Sequence, residues 1–263
     1  MLAICSIVVV LLIAAVAAVI GCFVVWRKIE YFGDALSHSL MIGAAVALFV
    51  DIDQMLIMAA MSLMLAVIVV NLSNSAHGEN LVVSILANGL MAFSIVIVFF
   101  FKGSGYESFE EFLLGEVKSL SFTDIYVALT LVLLAIFMFY LRWDKWLLIS
   151  VSKDLSMVDI PNKKRLDMEY YALLSLFIAV TIKIAGILLV TSVLTIPAAI
   201  ARFYAKNIPS MVFYSLIISL TATALGLFID YCYGVPFASV TVSLEFTAFV
   251  LISLIRKSNV FIT

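Results

Sequence analysis

The sequence predicts an all-α fold, a polytopic transmembrane helical bundle. Three observations predict it. Of 263 residues, 65% are hydrophobic and only 12% charged; the mean hydropathy is +1.25; and the apolar residues fall into runs close to the roughly 20 residues a helix needs to cross a bilayer core. A soluble domain is about 45–50% apolar and about 25% charged, and could not cover this much hydrocarbon. In lipid, backbone groups at these run lengths are satisfied only by helices. A soluble enzyme and a disordered tail are excluded. Nucleic acid is excluded as a partner, because 15 Lys and Arg stand against 17 Asp and Glu with no basic block.

The first run, residues 2–25, is too long for the core of a secretory signal and has no basic segment before it, so it reads as a retained span. Further runs cover 32–50, 55–72, 81–101 and 122–141, and, after a polar gap, 170–190, 210–229 and 239–255. A shorter stretch to residue 204 contains Pro197 and either crosses or re-enters, giving eight or nine spans in one transmembrane domain, 1–263. Arg27 and Lys28 follow the first run at once, which places the N-terminus outside and, after nine spans, the C-terminus in the cytoplasm. Twelve of the fifteen basic residues then lie inside, only Lys102 and Lys118 lie outside, and Lys183 is within a span. The outer face becomes acidic through Asp51, Asp53, Glu107, Glu110, Glu111, Glu116 and Asp124. Residues 102–121 read as an amphipathic helix in the outer interface. Residues 142–169 read as the longest soluble stretch and the only cytoplasmic surface broad enough for a partner. Cys5, Cys22 and Cys232 form no CxxC pair, so no disulfide framework or zinc knuckle is indicated.

Ionisable groups inside spans are the informative exceptions, since each costs about 2.5–3.5 kcal/mol on insertion scales. The second run holds Asp34 and His38 in Tyr31-Phe32-Gly33-Asp34-Ala35-Leu36-Ser37-His38. At i,i+4 they share one helix face, and a carboxylate with an imidazole is a natural ligand pair for Zn²⁺, Mn²⁺ or Fe²⁺. The alternative is a pair that only packs the bundle; ligand spacing in a chain with two histidines favours a transport site. His77 lies in a polar stretch and reads as a loop residue. Asp230 and Glu245 are candidates for an added oxygen ligand or a gate, or are simple helix contacts. Lys183 either snorkels or pairs with a carboxylate when no cation is bound. Pro197 removes a backbone donor mid-run, as at a broken helix beside a pathway or at a kink. No GxxxxGK[ST], HExxH or GxSxG occurs, so the chain is not itself an ATPase or an intramembrane hydrolase. Its energy comes from a separate subunit or an ion gradient.

Three stretches carry a family likeness: Phe23-Val24-Val25-Trp26-Arg27-Lys28 running into Tyr31 through Ser39; Lys183-Ile184-Ala185-Gly186 through Pro197-Ala198-Ala199 to Arg202; and Leu147-Leu148-Ile149-Ser150 followed by Lys153-Asp154-Leu155. In these the chain resembles the permease subunits of bacterial ABC importers for zinc, manganese and iron, the zinc type foremost. It departs at Gly234-Val235-Pro236-Phe237-Ala238, where the family carries an acidic residue just before a Thr-Pro or Leu-Pro pair and a glycine just after it. The resemblance implies a multi-pass protein of the bacterial plasma (inner) membrane, acting as a homodimer with two cytoplasmic ATPase subunits and an extracytoplasmic metal-binding protein. It implies no tightly bound cofactor and no enzymatic activity of the chain itself. Zn²⁺, or Mn²⁺ or Fe²⁺, is the cargo, and the Asp and His that match Asp34 and His38 are expected to contact it during alternating access. On the residues alone, Asp230 stays a candidate further ligand and Lys183, Pro197 and Glu245 candidates for the pathway or gate. Ser152, Lys153, Asp154 and Leu155 fall in the region presented to the ATPase. Affinity should fall at acid pH, because protonating His38 removes a ligand. The rivals are a proton-coupled secondary transporter using Asp34, His38 and Lys183, and a non-transporting scaffold.

Overall fold

A computed structural model of the chain describes residues 2–47, 54–72, 84–85, 88–93, 96, 120–151 and 162–260. Seven helices are complete enough to name: α1 (Leu2–Arg27), α2 (Glu30–Ala47), α3 (Gln54–Leu72), α4 (Phe122–Val151), α5 (Lys163–Tyr204), α6 (Ile208–Tyr233) and α7 (Phe237–Val260). No strand occurs among the described residues, as the composition requires. Five helices, α1 and α4 to α7, are long and apolar enough to cross a membrane, and α3 is a shorter apolar helix. Of the fourth expected run only residues 84–85, 88–93 and 96 are described, all helical, so the full count of eight or nine lies partly outside the described residues. So do His77, most of 102–121, and Ser152, Lys153, Asp154 and Leu155.

Two boundaries differ from the sequence reading. Helix α4 does not stop near 141 but continues to Val151. Its charged residues Arg142, Asp144 and Lys145 lower the local hydropathy, yet Phe139, Trp146 and Ile149 continue the buried face at helical spacing. The second difference is α5. Tyr170, near its start, lies under the Arg27 guanidinium at 3.9 Å, while Ala201, near its end, packs with Cys22 and Val25 of the same end of α1. A straight helix would part Tyr170 and Ala201 by about 46 Å. The chain therefore doubles back at Gly186, whose φ of 74° and ψ of 165° belong to a region essentially reserved for glycine. The two arms, 163–185 and 187–204, are about 34 and 27 Å long. Helix continues through Pro197, so the Pro197 stretch is the return arm of this V.

The V is the centre of the bundle, with most of its hydrophobic side chains buried. One end is tied by polar groups. Arg27 is only 6% exposed; it donates to Asp167 at 2.9 Å and to Ser150 at 3.0 Å. Arg142 pairs with Glu169 at 3.0 Å, and the Trp146 indole N–H donates to the Leu166 carbonyl at 3.2 Å. Just inside this end Phe23 is ringed by Trp26, Phe139 and Trp143, with centroids 5.1 to 5.2 Å away. Helices otherwise approach through small residues, as membrane packing without a hydrophobic driving force demands. A Cβ on Gly21 would collide with the Leu194 carbonyl in the return arm, and one on Gly226 of α6 would meet Thr241 Oγ1 of α7. Ser215 and Ser219 of α6 donate across to the Ala18 and Ala14 carbonyls of α1, at 3.2 and 3.0 Å.

Candidate metal pathway and its supports

Helix α2 wedges against both arms of the V: a Cβ on Gly33 would sit 3.8 Å from both Ile178 of the outgoing arm and Leu194 of the return arm. Phe32, 3% exposed, stacks edge-on against Tyr171 at 4.9 Å. On the other side, Gly43 approaches Met58 and Met61 of α3. These contacts fix the rotation of α2 about its axis. Positions 31, 34 and 38 follow each other along one side of the helix. Tyr31 is 66% exposed and His38 half-buried, so at these two positions the helix presents a flank of the wedge rather than its packed edge; the side chain of Asp34 lies outside the described residues. Ser37 and Ser39, buried beside this stripe, donate back to the Gly33 and Ala35 carbonyls at 2.8 and 2.7 Å. Their donors are used within α2.

The other predicted residues stand elsewhere. Lys183, one turn before Gly186, donates to Asp124 at 2.7 Å, which fits the carboxylate-paired alternative and not outward snorkelling. Asp124 is the third residue of α4, and it forms a reciprocal cap with Ser121: the carboxylate accepts from the Ser121 hydroxyl at 2.8 Å, and the Ser121 hydroxyl accepts the Asp124 N–H at 3.2 Å. Asp124 therefore belongs to the helix start and the pair, not to a free acidic loop. Asp230 is half-buried near the end of α6, where its carbonyl accepts the Gly234 N–H at 2.8 Å. Glu245 of α7 is 1% exposed, and neither carboxyl oxygen has a hydrogen-bond partner among the described residues. No cluster of three or more His, Cys, Asp or Glu side chains that could hold a metal occurs among the described residues.

Residues 2–256 match the sequence profile of the ABC 3 transport family. The chain belongs to that family. As an ABC 3 chain it is a multi-pass protein of the inner membrane and a transport subunit rather than an enzyme, with ATP hydrolysis on a separate subunit. It is 31% identical over 225 residues, 85% of each chain, to the high-affinity zinc uptake system membrane protein ZnuB of Haemophilus influenzae. It is 24% identical over 233 residues, 87% of this chain and 82% of the other, to the manganese import system permease protein ScaB of Streptococcus gordonii. The fold matches a chain of PsaBC from Streptococcus pneumoniae in complex with Fab, with a TM-score of 0.79 and 24% identity over 94% of this chain and 89% of that one.

The resemblance on which the sequence reading rested is thus confirmed at the level of the family. Sequence reasoning missed Asp124 as the partner of Lys183, because no local pattern joins positions 59 apart. It also passed over Glu30, although that residue stands four before Asp34 on α2, a spacing that could have flagged it.

Proposed function

We propose that this chain is the permease of an ATP-driven importer of divalent transition metal, with zinc as the cargo. Asp34 and His38 on α2 supply ligands that replace part of the ion's water shell. The observation that carries the reading is the placement of that stripe: it is held in register by packing against both arms of α5, yet runs along a flank bordered by the exposed Tyr31. A flank with two ligand types on successive turns suits an interface at which a second copy completes the coordination, so we read the working unit as a homodimer. A sparse site of this kind also suits transport, because a full cage would hold zinc too tightly for release. The choice of zinc over manganese rests on the ZnuB-type relatives, one of which is the 31% match, against 24% for the manganese permease ScaB.

The end that carries Arg27, Arg142 and Arg165 becomes the cytoplasmic end by the positive-inside rule, and the cytoplasmic ATPase subunits dock there, with Ser152, Lys153, Asp154 and Leu155 in the contact. An extracytoplasmic metal-binding protein delivers the ion at the other end. Pro197 and Glu245 belong to the pathway wall, Lys183 to the outer gate through Asp124, and Asp230 to the far mouth as an accessory oxygen ligand. The 2.7 Å pair with Asp124 engages Lys183, which favours the importer over a proton relay through that lysine. In cells lacking other zinc uptake, Asp34→Asn and His38→Ala should each lower zinc accumulation by about tenfold or more at normal membrane levels. Elemental analysis reads this directly, and undiminished metal content in both variants would overturn the assigned roles.

A further inference from the structure

At the arginine end, α2 begins beside a cavity of about 450 Å³. Its walls include Val25 of α1, Glu30 of α2, Thr195, Ala199 and Arg202 of the return arm, and Phe249 of α7. A water molecule takes roughly 30 Å³ in the liquid, so the space holds on the order of a dozen. The charged side chains lining it are one of each sign, Glu30 and Arg202, and among the described residues neither makes an ion pair. Glu30 lies one turn before Asp34 and two before His38, so positions 30, 34 and 38 rise along one side of α2 in steps of about 6 Å. The other walls lead inward from the same cavity. Thr195 is one turn inward of Ala199, and Glu245 one turn inward of Phe249.

We infer that this cavity is the vestibule through which a divalent cation leaves the α2 site, and that Glu30 is the residue that receives it. The inference rests on the proposed role of Asp34 and His38 and adds the exit step. A cation released from two protein ligands must regain several waters at once unless an intermediate oxygen ligand lies within one step. Glu30 supplies that ligand at the edge of a space wide enough for the hydration shell. Arg202, across the same space, cancels its charge, so the ion is received without being retained and passes on toward the end with the arginines. Glu30 is also an acid in the first turn of α2, where any acid favours the helix by about 0.3–1 kcal/mol. That role predicts a change in stability and none in release.

The test uses the transporter assembled with its ATPase in liposomes, following ATP-driven uptake of zinc and of manganese at matched amounts of assembled protein. Glu30→Gln should lower the maximal rate about tenfold and leave the half-saturating metal concentration nearly unchanged, while Glu30→Asp restores most of the rate. With Cys5, Cys22 and Cys232 replaced, Glu30→Cys should react with a charged, membrane-impermeant thiol reagent applied from the ATPase side. Wild-type maximal rates in Glu30→Gln, or a Glu30→Cys thiol that stays unreactive, would overturn the vestibule. So would a Glu30→Gln variant whose maximal rate and half-saturating metal concentration both shift. Asp34→Asn in the same liposomes separates the two readings: if it transports normally, the α2 site itself falls, whereas its failure beside a normal Glu30→Gln removes only the exit step.

Discussion

The Lys183–Asp124 pair is the single polar clasp described near the turn of the V, and its surroundings set what it contributes. Its side chains are 26% and 10% exposed, so the charges are partly desolvated, and removing one partner leaves the other without its best interaction. Lys183→Met or Asp124→Asn should each lower stability by about 1–3 kcal/mol, read as denaturation of the detergent-solubilised protein. Replacing both by apolar residues should cost less than the sum of the two. Strictly additive losses would show that the 2.7 Å contact contributes nothing of its own. The same pair shows where legibility stops at the scale of single residues. That positions 34 and 38 share one side of α2 was readable because helix geometry makes a four-residue spacing a spatial statement. Lys183 was readable as anomalous, but its partner was not, because which carboxylate reaches it is decided by how α4 and α5 pack. Arg27 gave the sequence reading only a direction across the membrane; the structure adds that it braces α4 and α5 through Ser150 and Asp167.

Among the elements, hydropathy located the apolar runs well and their ends less well, for an identifiable reason. A run-based reading stops where charge appears, but a helix stops where its backbone does, and α4 continues to Val151 past Arg142, Asp144 and Lys145 while Trp146 stays buried. The V of α5 was half legible. Sequence showed a long run and then a Pro-containing one, and the eye goes to the proline, yet the helix runs through Pro197 and reverses at Gly186. Proline costs one hydrogen bond and a modest bend, whereas a reversal needs a backbone angle that only glycine adopts freely. Gly186→Ala should therefore destabilise the protein by about 1–3 kcal/mol and lower its melting temperature in detergent. An unchanged melting temperature would show that the reversal is set by the packing of the arms and not by the angle at that residue.

For the whole molecule, the polar ties are unevenly placed: a set of arginine-centred bonds at one end, and Lys183 with Asp124 nearer the bend of α5. Each of the tying pairs Arg27–Asp167, Arg142–Glu169 and Asp124–Lys183 joins a residue before 151 to one after 162. The same division is crossed by the ring of aromatics around Phe23, which includes Tyr170, and by the serines of α6 bonded to α1. The peptide connection between α4 and α5 is therefore not what keeps the two parts of the bundle together. A gene cut between the codons for residues 156 and 157, its two pieces expressed side by side and only one bearing an affinity tag, should yield both pieces from the same column in detergent. Recovery of the tagged piece alone would mean that covalent continuity, and not side-chain traffic across the division, keeps the bundle whole.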